Sequence, residues 1–141
     1  MQWEKTPSLS ANEVYHLNDA SRELLTLVFH PFSNSVRVES DGEKRVLLIR
    51  QEGFRKHKTV VRNEYGQKVC ELGTEDGNRF IEMEEEKYYY KLDASAGPEV
   101  KLYRDLEKAP VMVCTMPGAE MNPALLIGLG WYMTRHAAEM A

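Results

Sequence analysis

A cluster of basic side chains is the feature of this sequence with the clearest capacity for binding chemistry. Cations crowd positions 50 to 62, with an aromatic ring among them: Arg50, Phe54, Arg55, Lys56, Lys58 and Arg62. Lysines and arginines hold phosphate groups through charge-assisted hydrogen bonds. Since the whole chain has a net charge of -4, the cluster forms a local positive patch on an acidic protein. We expect the cations to capture an anionic headgroup, with the phenylalanine contacting the apolar part of the ligand.

The same cluster also has a purely structural interpretation. Runs of like charge are commonly solvated surface, and this one can balance the acidic run Glu84, Glu85 and Glu86. We interpret those glutamates as an exposed hairpin tip rather than a metal site, because side chains on three adjacent residues cannot all face one ion. The residues alone leave both interpretations of the basic cluster open.

A run of tyrosines is a second candidate contact surface. Successive side chains of a strand point to opposite faces, so Tyr88 and Tyr90 share one face and Tyr89 lies on the other. Tyrosine suits positions with one buried end and one wet end. The run is therefore either part of a packed wall or a rim that contacts a ligand or a protein partner.

The sequence shows no catalytic or metal-binding pattern. It contains no nucleophile elbow, P-loop, dinucleotide-binding glycine motif or zinc-protease motif. The histidines have no ligand-like spacing: His16, His30, His57 and His136. Cys70 and Cys114 each stand in an apolar run, where a thiol behaves as a small buried hydrophobe. The sequence therefore favours a protein without metal, cofactor or enzymatic activity.

Length and composition indicate one domain over residues 1–141. A chain of 141 residues buries about two-thirds of its unfolded surface around one core. The net charge of -4 gives no general attraction to nucleic acid. The first residues lack the basic and apolar regions of a signal peptide. We expect a cytoplasmic protein with reduced thiols and no nucleic-acid partner.

Short alternating segments separated by turn residues fill residues 23–115. Asp41-Gly42 and Asp76-Gly77 each stand between such segments, which predicts hairpins because a type I′ turn requires positive φ at both central residues. Residues 1–22 are either an N-terminal arm or the first strands. The spacing predicts an antiparallel meander that closes into a barrel or curls into a sandwich. We expect about eight or nine strands, within residues 23–29, 35–40, 45–51, 58–62, 67–72, 79–83, 87–92, 99–104 and 110–115.

Residues 122–140 are predicted to form a helix that must be enclosed. Asn122 can cap it and Pro123 suits its first turn, and apolar residues point in every direction around it. Its uninterrupted apolar part, residues 123–133, is shorter than the roughly 20 residues that cross a bilayer. We therefore expect an all-β fold whose strands wrap around one buried, hydrophobic C-terminal helix.

This combination resembles the tubby C-terminal-like fold, which tubby proteins, phospholipid scramblases and LURP-one-related proteins share. The strand-turn-strand unit VVRNEYGQKVCELG at residues 60–73 is similar to the hairpins of scramblase-like members, although Cys70 replaces a small residue of that motif. The resemblance implies an antiparallel barrel around a hydrophobic helix near the C-terminus. It also implies phosphoinositide binding through basic residues on the barrel.

These patterns predict a non-enzymatic binding or scaffold module that contacts an anionic phospholipid headgroup at a membrane surface, or a protein partner. One alternative is a small-molecule carrier or enzyme with a barrel cavity, which needs roughly 300 Å³ or more of space. Another is a homodimeric structural protein whose C-terminal helix packs against a second subunit. The position of the helix discriminates among the three.

Overall fold

Eleven strands and one helix make up the computed structural model of the chain. The structure describes residues 1–8, 10–53, 58–93, 97–118 and 122–136. The elements are β1 Gln2–Thr6, β2 Glu13–Asp19, β3 Arg22–His30, β4 Ser35–Ser40, β5 Glu43–Glu52, β6 Lys58–Asn63, β7 Lys68–Glu75, β8 Asn78–Met83, β9 Glu86–Asp93, β10 Glu99–Tyr103, β11 Met112–Thr115 and α1 Pro123–Arg135.

The strands form a closed barrel in which each strand lies beside its neighbours in the chain. Consecutive strands pair antiparallel, as in a meander. The barrel closes through a parallel pair, where Gln2 of β1 lies opposite Thr115 of β11. The Thr115 amide donates a hydrogen bond to the Met1 carbonyl oxygen at 3.0 Å. The prediction of a barrel is therefore confirmed over the sandwich, with one parallel contact that the meander pattern did not include.

Residues near the N-terminus form the first strands rather than an arm. Trp3 of β1, and Tyr15 and Leu17 of β2, are buried in the barrel. In β2 the apolar residues Tyr15 and Leu17 stand on either side of His16. This alternation is too short to identify a strand from the sequence. The count of about eight or nine strands was consequently too low.

Turns with positive φ connect hairpins where the sequence predicts them. Asp41 and Gly42 have φ of 51° and 78°, which is the backbone that a type I′ turn requires. Glu84 and Glu85 form the turn between β8 and β9, with φ of 50° and 72°, and both are exposed. The acidic run is thus a hairpin tip as predicted, with Glu86 already part of β9.

Helix α1 lies inside the barrel. The Asn122 side chain caps it by accepting a hydrogen bond from the Ala124 amide at 2.9 Å. The helix ends at Arg135, and residues 137–140 of the predicted helix lie outside the described residues. All residues at positions 124–133 are buried within their own chain, which leaves no face of this stretch for a second subunit. Within the described ranges, no helix combines the length and the apolarity needed to cross a membrane.

Glycines let the helix lie against the barrel wall. A Cβ atom at Gly128 would lie 2.7 Å from Leu27 Cδ1 and 3.0 Å from Trp3 Cη2. One at Gly130 would lie 3.0 Å from Ile81 Cδ1. Carbon atoms in contact normally stay about 3.5–4.0 Å apart, so larger side chains would not fit here. Such close packing argues against the internal cavity that a carrier requires.

Alternate connections lie at opposite ends of the barrel, because consecutive strands are antiparallel. We name the end where α1 begins the proximal end. It carries the connections β1–β2, β3–β4, β5–β6, β7–β8 and β9–β10. The end where α1 finishes is the distal end, and it carries β2–β3, β4–β5, β6–β7, β8–β9 and β10–β11.

Candidate functional site

The predicted basic cluster spans β5, the following connection at the proximal end, and β6. Arg50 is exposed, and its Nη1 donates to the backbone oxygens of Ile49 at 2.9 Å and of Ser33 at 3.5 Å. Among the described residues no carboxylate lies within ion-pair distance of it. Three members of the cluster lie outside the described residues: Phe54, Arg55 and Lys56.

Lys58 and Arg62 are both paired with carboxylates. Lys58 Nζ lies 3.5 Å from Glu71 Oε1. Arg62 donates two hydrogen bonds to Glu52, at 2.9 Å from Nε and 2.7 Å from Nη2, and these bonds lower the pKa of the Glu52 carboxyl. A bidentate pair of this kind fixes the arginine side chain. Arg62 is therefore committed to joining β6 to β5, whereas the contact of Lys58 with Glu71 is a longer one.

Phe32 is an exposed aromatic side chain at the proximal end that the sequence pattern did not single out. It lies in the β3–β4 connection with 94% of its surface exposed. Asn34 fixes this connection to β5, since its carbonyl oxygen accepts from the Ile49 amide at 2.9 Å and its side chain donates to the Ile49 oxygen at 3.2 Å. Phe32 therefore stands on an anchored loop, next to the Ser33 carbonyl that Arg50 contacts.

The tyrosine run belongs partly to the wall and partly to a rim. Tyr88 is buried, with 1% of its surface exposed. Tyr90 is half-buried and lines a cleft of about 340 Å³ at the proximal end, together with Arg79 and Pro123. Burial raises the pKa of the Tyr90 hydroxyl. Of the two tyrosines predicted to share a face, only Tyr90 reaches a surface where a ligand could bind.

A second cleft of about 340 Å³ opens at the distal end. It lies between β5, the β6–β7 and β8–β9 turns and the last turn of α1. Its apolar lining comes from Leu47, Val69, Met83 and Trp131. These residues are far apart in sequence, and no motif connects them, so sequence reasoning could not identify this cleft.

Arg135 holds the distal end together. Its Nε and Nη2 donate to the Glu43 carboxylate at 3.1 Å and 3.0 Å, and its Nη1 lies 3.7 Å from Glu84 Oε1. The guanidinium carbon lies 4.0 Å from the centroid of the Trp131 ring, a cation–π distance. The hydrogen bonds from Arg135 hold the pKa of Glu43 below its ordinary value. Arg135 therefore joins the end of the helix to two turns and covers one side of the indole.

Two buried indole groups have no hydrogen-bond acceptor among the described residues: the Nε1–H groups of Trp3 and Trp131. Their side chains are almost fully buried, with 2% and 3% of the residue surface exposed. Trp3 lines neither cleft, whereas Trp131 lines the distal one. Trp131 thus lines the distal cleft, while its Nε1 atom is itself buried.

Both thiols are buried and free. Burial raises the pKa of Cys114 to about 12 and raises that of Cys70 well above its ordinary value. Since the thiolate is the reactive form, neither cysteine is suited to nucleophilic catalysis. Among the residues that the structure describes, no group of three or more histidine, cysteine, aspartate or glutamate side chains is arranged to hold a metal ion.

The arrangement thus offers two surfaces with different chemistry. The proximal end presents the exposed Phe32 ring near Arg50, which has no carboxylate within ion-pair distance among the described residues, and the distal end presents a cleft with an apolar lining. Comparison with protein-family models, with curated proteins and with solved structures finds no match to this chain.

Proposed function

We propose that this protein is a binding module of the tubby-like type that attaches to anionic phospholipid headgroups through its proximal end. The observation that carries the proposal is the exposed ring of Phe32, on a loop that Arg50 contacts. Aromatic side chains settle at membrane–water interfaces, and neighbouring basic residues attract anionic lipids. An apolar anchor and a positive charge are the two parts that peripheral attachment combines.

The charge at this end supports a phosphate ligand. Arg50 hydrogen-bonds to carbonyl oxygens, so its positive charge is available to an incoming anion. Lys58 has 63% of its side chain exposed and lies 3.5 Å from Glu71, a carboxylate that Lys68 also binds at 2.9 Å, so the Lys58 ammonium group remains accessible to an incoming anion. The sequence adds Arg55 and Lys56 between β5 and β6. Arg62 is the member of the predicted cluster that we leave out of the site, because Glu52 occupies its guanidinium.

The buried helix supports attachment by a surface rather than by an internal cavity. Its residues 124–133 are enclosed by the barrel, and its glycines contact the wall closely. A barrel around a helix is also the architecture of the tubby-like fold, in which the resemblance implies phosphoinositide binding through basic residues. Neither a carrier nor a dimer built on the helix gains comparable support from these contacts.

Vesicle co-sedimentation tests the proposal. We expect the protein to sediment with phosphatidylcholine vesicles that contain phosphatidylserine or a phosphoinositide, and not with phosphatidylcholine alone. Added salt should weaken the binding, because exposed charges are screened over about 10 Å at 0.1 M ionic strength. The double variant Lys56→Glu, Lys58→Glu should lose binding. Phe32→Ser should weaken it by about tenfold, since burial of one large apolar side chain contributes roughly 1.5–3 kcal/mol.

Tyr65→Ser is the matched control, because Tyr65 is an exposed aromatic residue, at 79%, in the distal β6–β7 turn. We expect this variant to bind as the wild type does. Equal binding by the charge-reversed variant and the wild type, or none by either, would contradict the proposal. Weaker binding by Tyr65→Ser but not by Phe32→Ser would assign attachment to the distal end and would equally overturn it.

A further inference from the structure

We propose that the cleft at the proximal end is a binding site for a small organic acid that has one carboxylate group and an apolar body. In this site the Arg79 guanidinium pairs with the carboxylate, and the Tyr90 hydroxyl donates a hydrogen bond to it. The lining of the cleft includes none of Phe32, Arg50 and Lys58, so the proposal does not rest on membrane attachment. Failure of acid binding and failure of lipid binding are therefore separate results.

The strand register directs Arg79 and Tyr90 into the mouth of the barrel. Ile81 and Tyr88 are buried in the barrel and lie opposite each other in the β8–β9 pair. Side chains two positions apart on a strand share a face, so Arg79 and Tyr90 face the same interior, nearer the proximal end. Because the two strands are antiparallel, the same two steps bring Arg79 beside Tyr90. Both side chains line the cleft.

Two threonine hydroxyls complete the polar side of the cleft. Thr74 lies two positions beyond the buried Leu72 and opposite Arg79, and Thr59 lies opposite Leu72. Both threonines line the cleft. The Thr59 oxygen accepts a hydrogen bond from the Gln51 side chain at 2.9 Å, so this hydroxyl can still donate to a ligand. Four adjacent strands, β6 to β9, thus each contribute one polar group.

The two principal donors are open to a ligand. Arg79 is exposed, and among the described residues no carboxylate lies within ion-pair distance of it. Glu75, on the neighbouring strand, is bound by Lys87 instead. The Tyr90 hydroxyl has no hydrogen-bond partner within the described ranges either, yet it is not an enclosed atom as the two indole nitrogens are. A molecule in the cleft can therefore contact both groups.

The surroundings of Tyr90 keep its hydroxyl a donor. Burial raises the pKa of this hydroxyl, and the positive charge of Arg79 offsets part of the shift. The phenol therefore stays protonated at neutral pH, with the guanidinium within electrostatic reach of it. A carboxylate that receives hydrogen bonds from both groups gains charge-assisted bonds, which are stronger than bonds between neutral groups.

Charge and lining favour a monocarboxylate over a phosphate. Among the described residues that line the cleft, Arg79 is the one with a positive charge, so it matches one negative charge rather than two. Leu72, Pro123 and Leu126 provide the apolar lining. Pro123 also begins α1, whose N-terminal dipole adds a weak attraction for an anion. The volume of about 340 Å³ is at the lower limit of ligand pockets, roughly 300–1,000 Å³, which restricts the acid to a small one.

Two-dimensional nitrogen–proton NMR tests the site, with phenylacetate as the acid, phenylacetamide as its neutral analogue and phenyl phosphate as the dianion. We expect phenylacetate to move the Arg79 Nε–H signal and the amide signal of Gly73, which also lines the cleft, in a saturable way. Phenylacetamide should bind at least about fivefold more weakly, the effect of one charge pair about 4 Å apart in water. Phenyl phosphate should bind no more tightly than phenylacetate.

Two variants separate the roles of the two donors. Arg79→Gln removes the cation, and Tyr90→Phe removes the hydroxyl alone. We expect each to weaken phenylacetate binding by about tenfold, the effect of one hydrogen bond to a charged group, with the Gly73 amide as the readout. Arg37→Gln is the matched control, because Arg37 is exposed on β4 and alternates with buried residues, so it faces away from the barrel interior. It should bind phenylacetate as the wild type does.

The proposal is overturned if phenylacetate produces no saturable movement of either signal, or if phenylacetamide binds equally well. Tighter binding of phenyl phosphate than of phenylacetate would point to a phosphorylated ligand and would also overturn it. Unchanged binding by Arg79→Gln or by Tyr90→Phe would have the same meaning, as would an equal loss in Arg37→Gln.

Discussion

Each end of the barrel combines an arginine with an aromatic side chain, but the two pairs differ in burial and in charge pairing. At the proximal end Arg50 and Phe32 are both exposed, and within the described ranges the arginine donates hydrogen bonds to carbonyl oxygens. At the distal end Trp131 is buried beneath Arg135, which is held by carboxylates. The difference teaches that burial and charge pairing distinguish the open surface of the proximal end from the closed, ion-paired distal end.

Deleting residues 122–141 should have the largest effect, because it removes the helix that both ends share. Loss of one buried leucine or isoleucine costs about 2–5 kcal/mol, and several are lost together, against a typical total stability of about 5–15 kcal/mol. We expect an insoluble or molten chain that binds the dye ANS and has lost its near-ultraviolet circular dichroism. A truncated protein that stays folded and soluble would refute the central-helix architecture.

Arg135→Ala and Arg50→Ala compare the two arginines directly. The first variant loses a bidentate ion pair and a cation–π contact, so we expect it to lower the free energy of unfolding by about 1–2 kcal/mol. The second loses weaker contacts to carbonyl oxygens and should change stability by less than about 0.5 kcal/mol. Urea unfolding of both variants measures this. Equal losses would mean that the ends are structurally equivalent.

Asn34→Ala should loosen the loop that carries Phe32. It removes the side-chain bond to Ile49 from a residue whose φ is 50°, a conformation that asparagine tolerates better than alanine. We expect a loss of about 1 kcal/mol in the free energy of unfolding and weaker vesicle binding. Asn34→Gly is the control, since it relieves the backbone strain and still lacks the side-chain bond. Vesicle binding equal to that of the wild type would show that this loop takes no part in attachment.

Acid should reduce the contribution of Arg135 to the free energy of unfolding, and we expect this effect to be smaller than those of the substitutions above. Because Arg135 lowers the folded-state pKa of Glu43, this contribution is present above the unfolded pKa of about 4.3 and is lost as the pH falls through the lower folded value. We expect the stability difference between wild type and Arg135→Ala to shrink between pH 6 and pH 3. Thermal unfolding at each pH gives the difference, and a constant value would exclude the ion pair as its source.

Much of the barrel could be predicted from the sequence, because its signals are local. The Asp41-Gly42 turn and the capping residue Asn122 each act on the next few residues. Closure through Gln2 and Thr115 could not be predicted, since it joins strands from opposite ends of the chain with a single pair of residues.

The candidate sites were harder to predict, because they too depend on contacts between residues that are far apart in the chain. The basic cluster is contiguous, so the sequence pointed to it, but only the fold shows that Glu52 occupies Arg62. Phe32 lies beyond the strand predicted at residues 23–29 and belongs to no motif, so the sequence did not point to it. The distal cleft depends on Arg135 meeting Glu43, which is 92 positions away.

The position of the helix in the chain has a consequence for synthesis on the ribosome. α1 follows all eleven strands, so every inward-facing side chain of the barrel is translated before the residues that cover it. The growing chain cannot complete its interior as its strands appear, and its apolar faces stay open to water until residues 123–135 have left the exit tunnel. Folding of this protein is therefore expected to be a late, concerted event, with a preceding interval in which the nascent strands are vulnerable to aggregation.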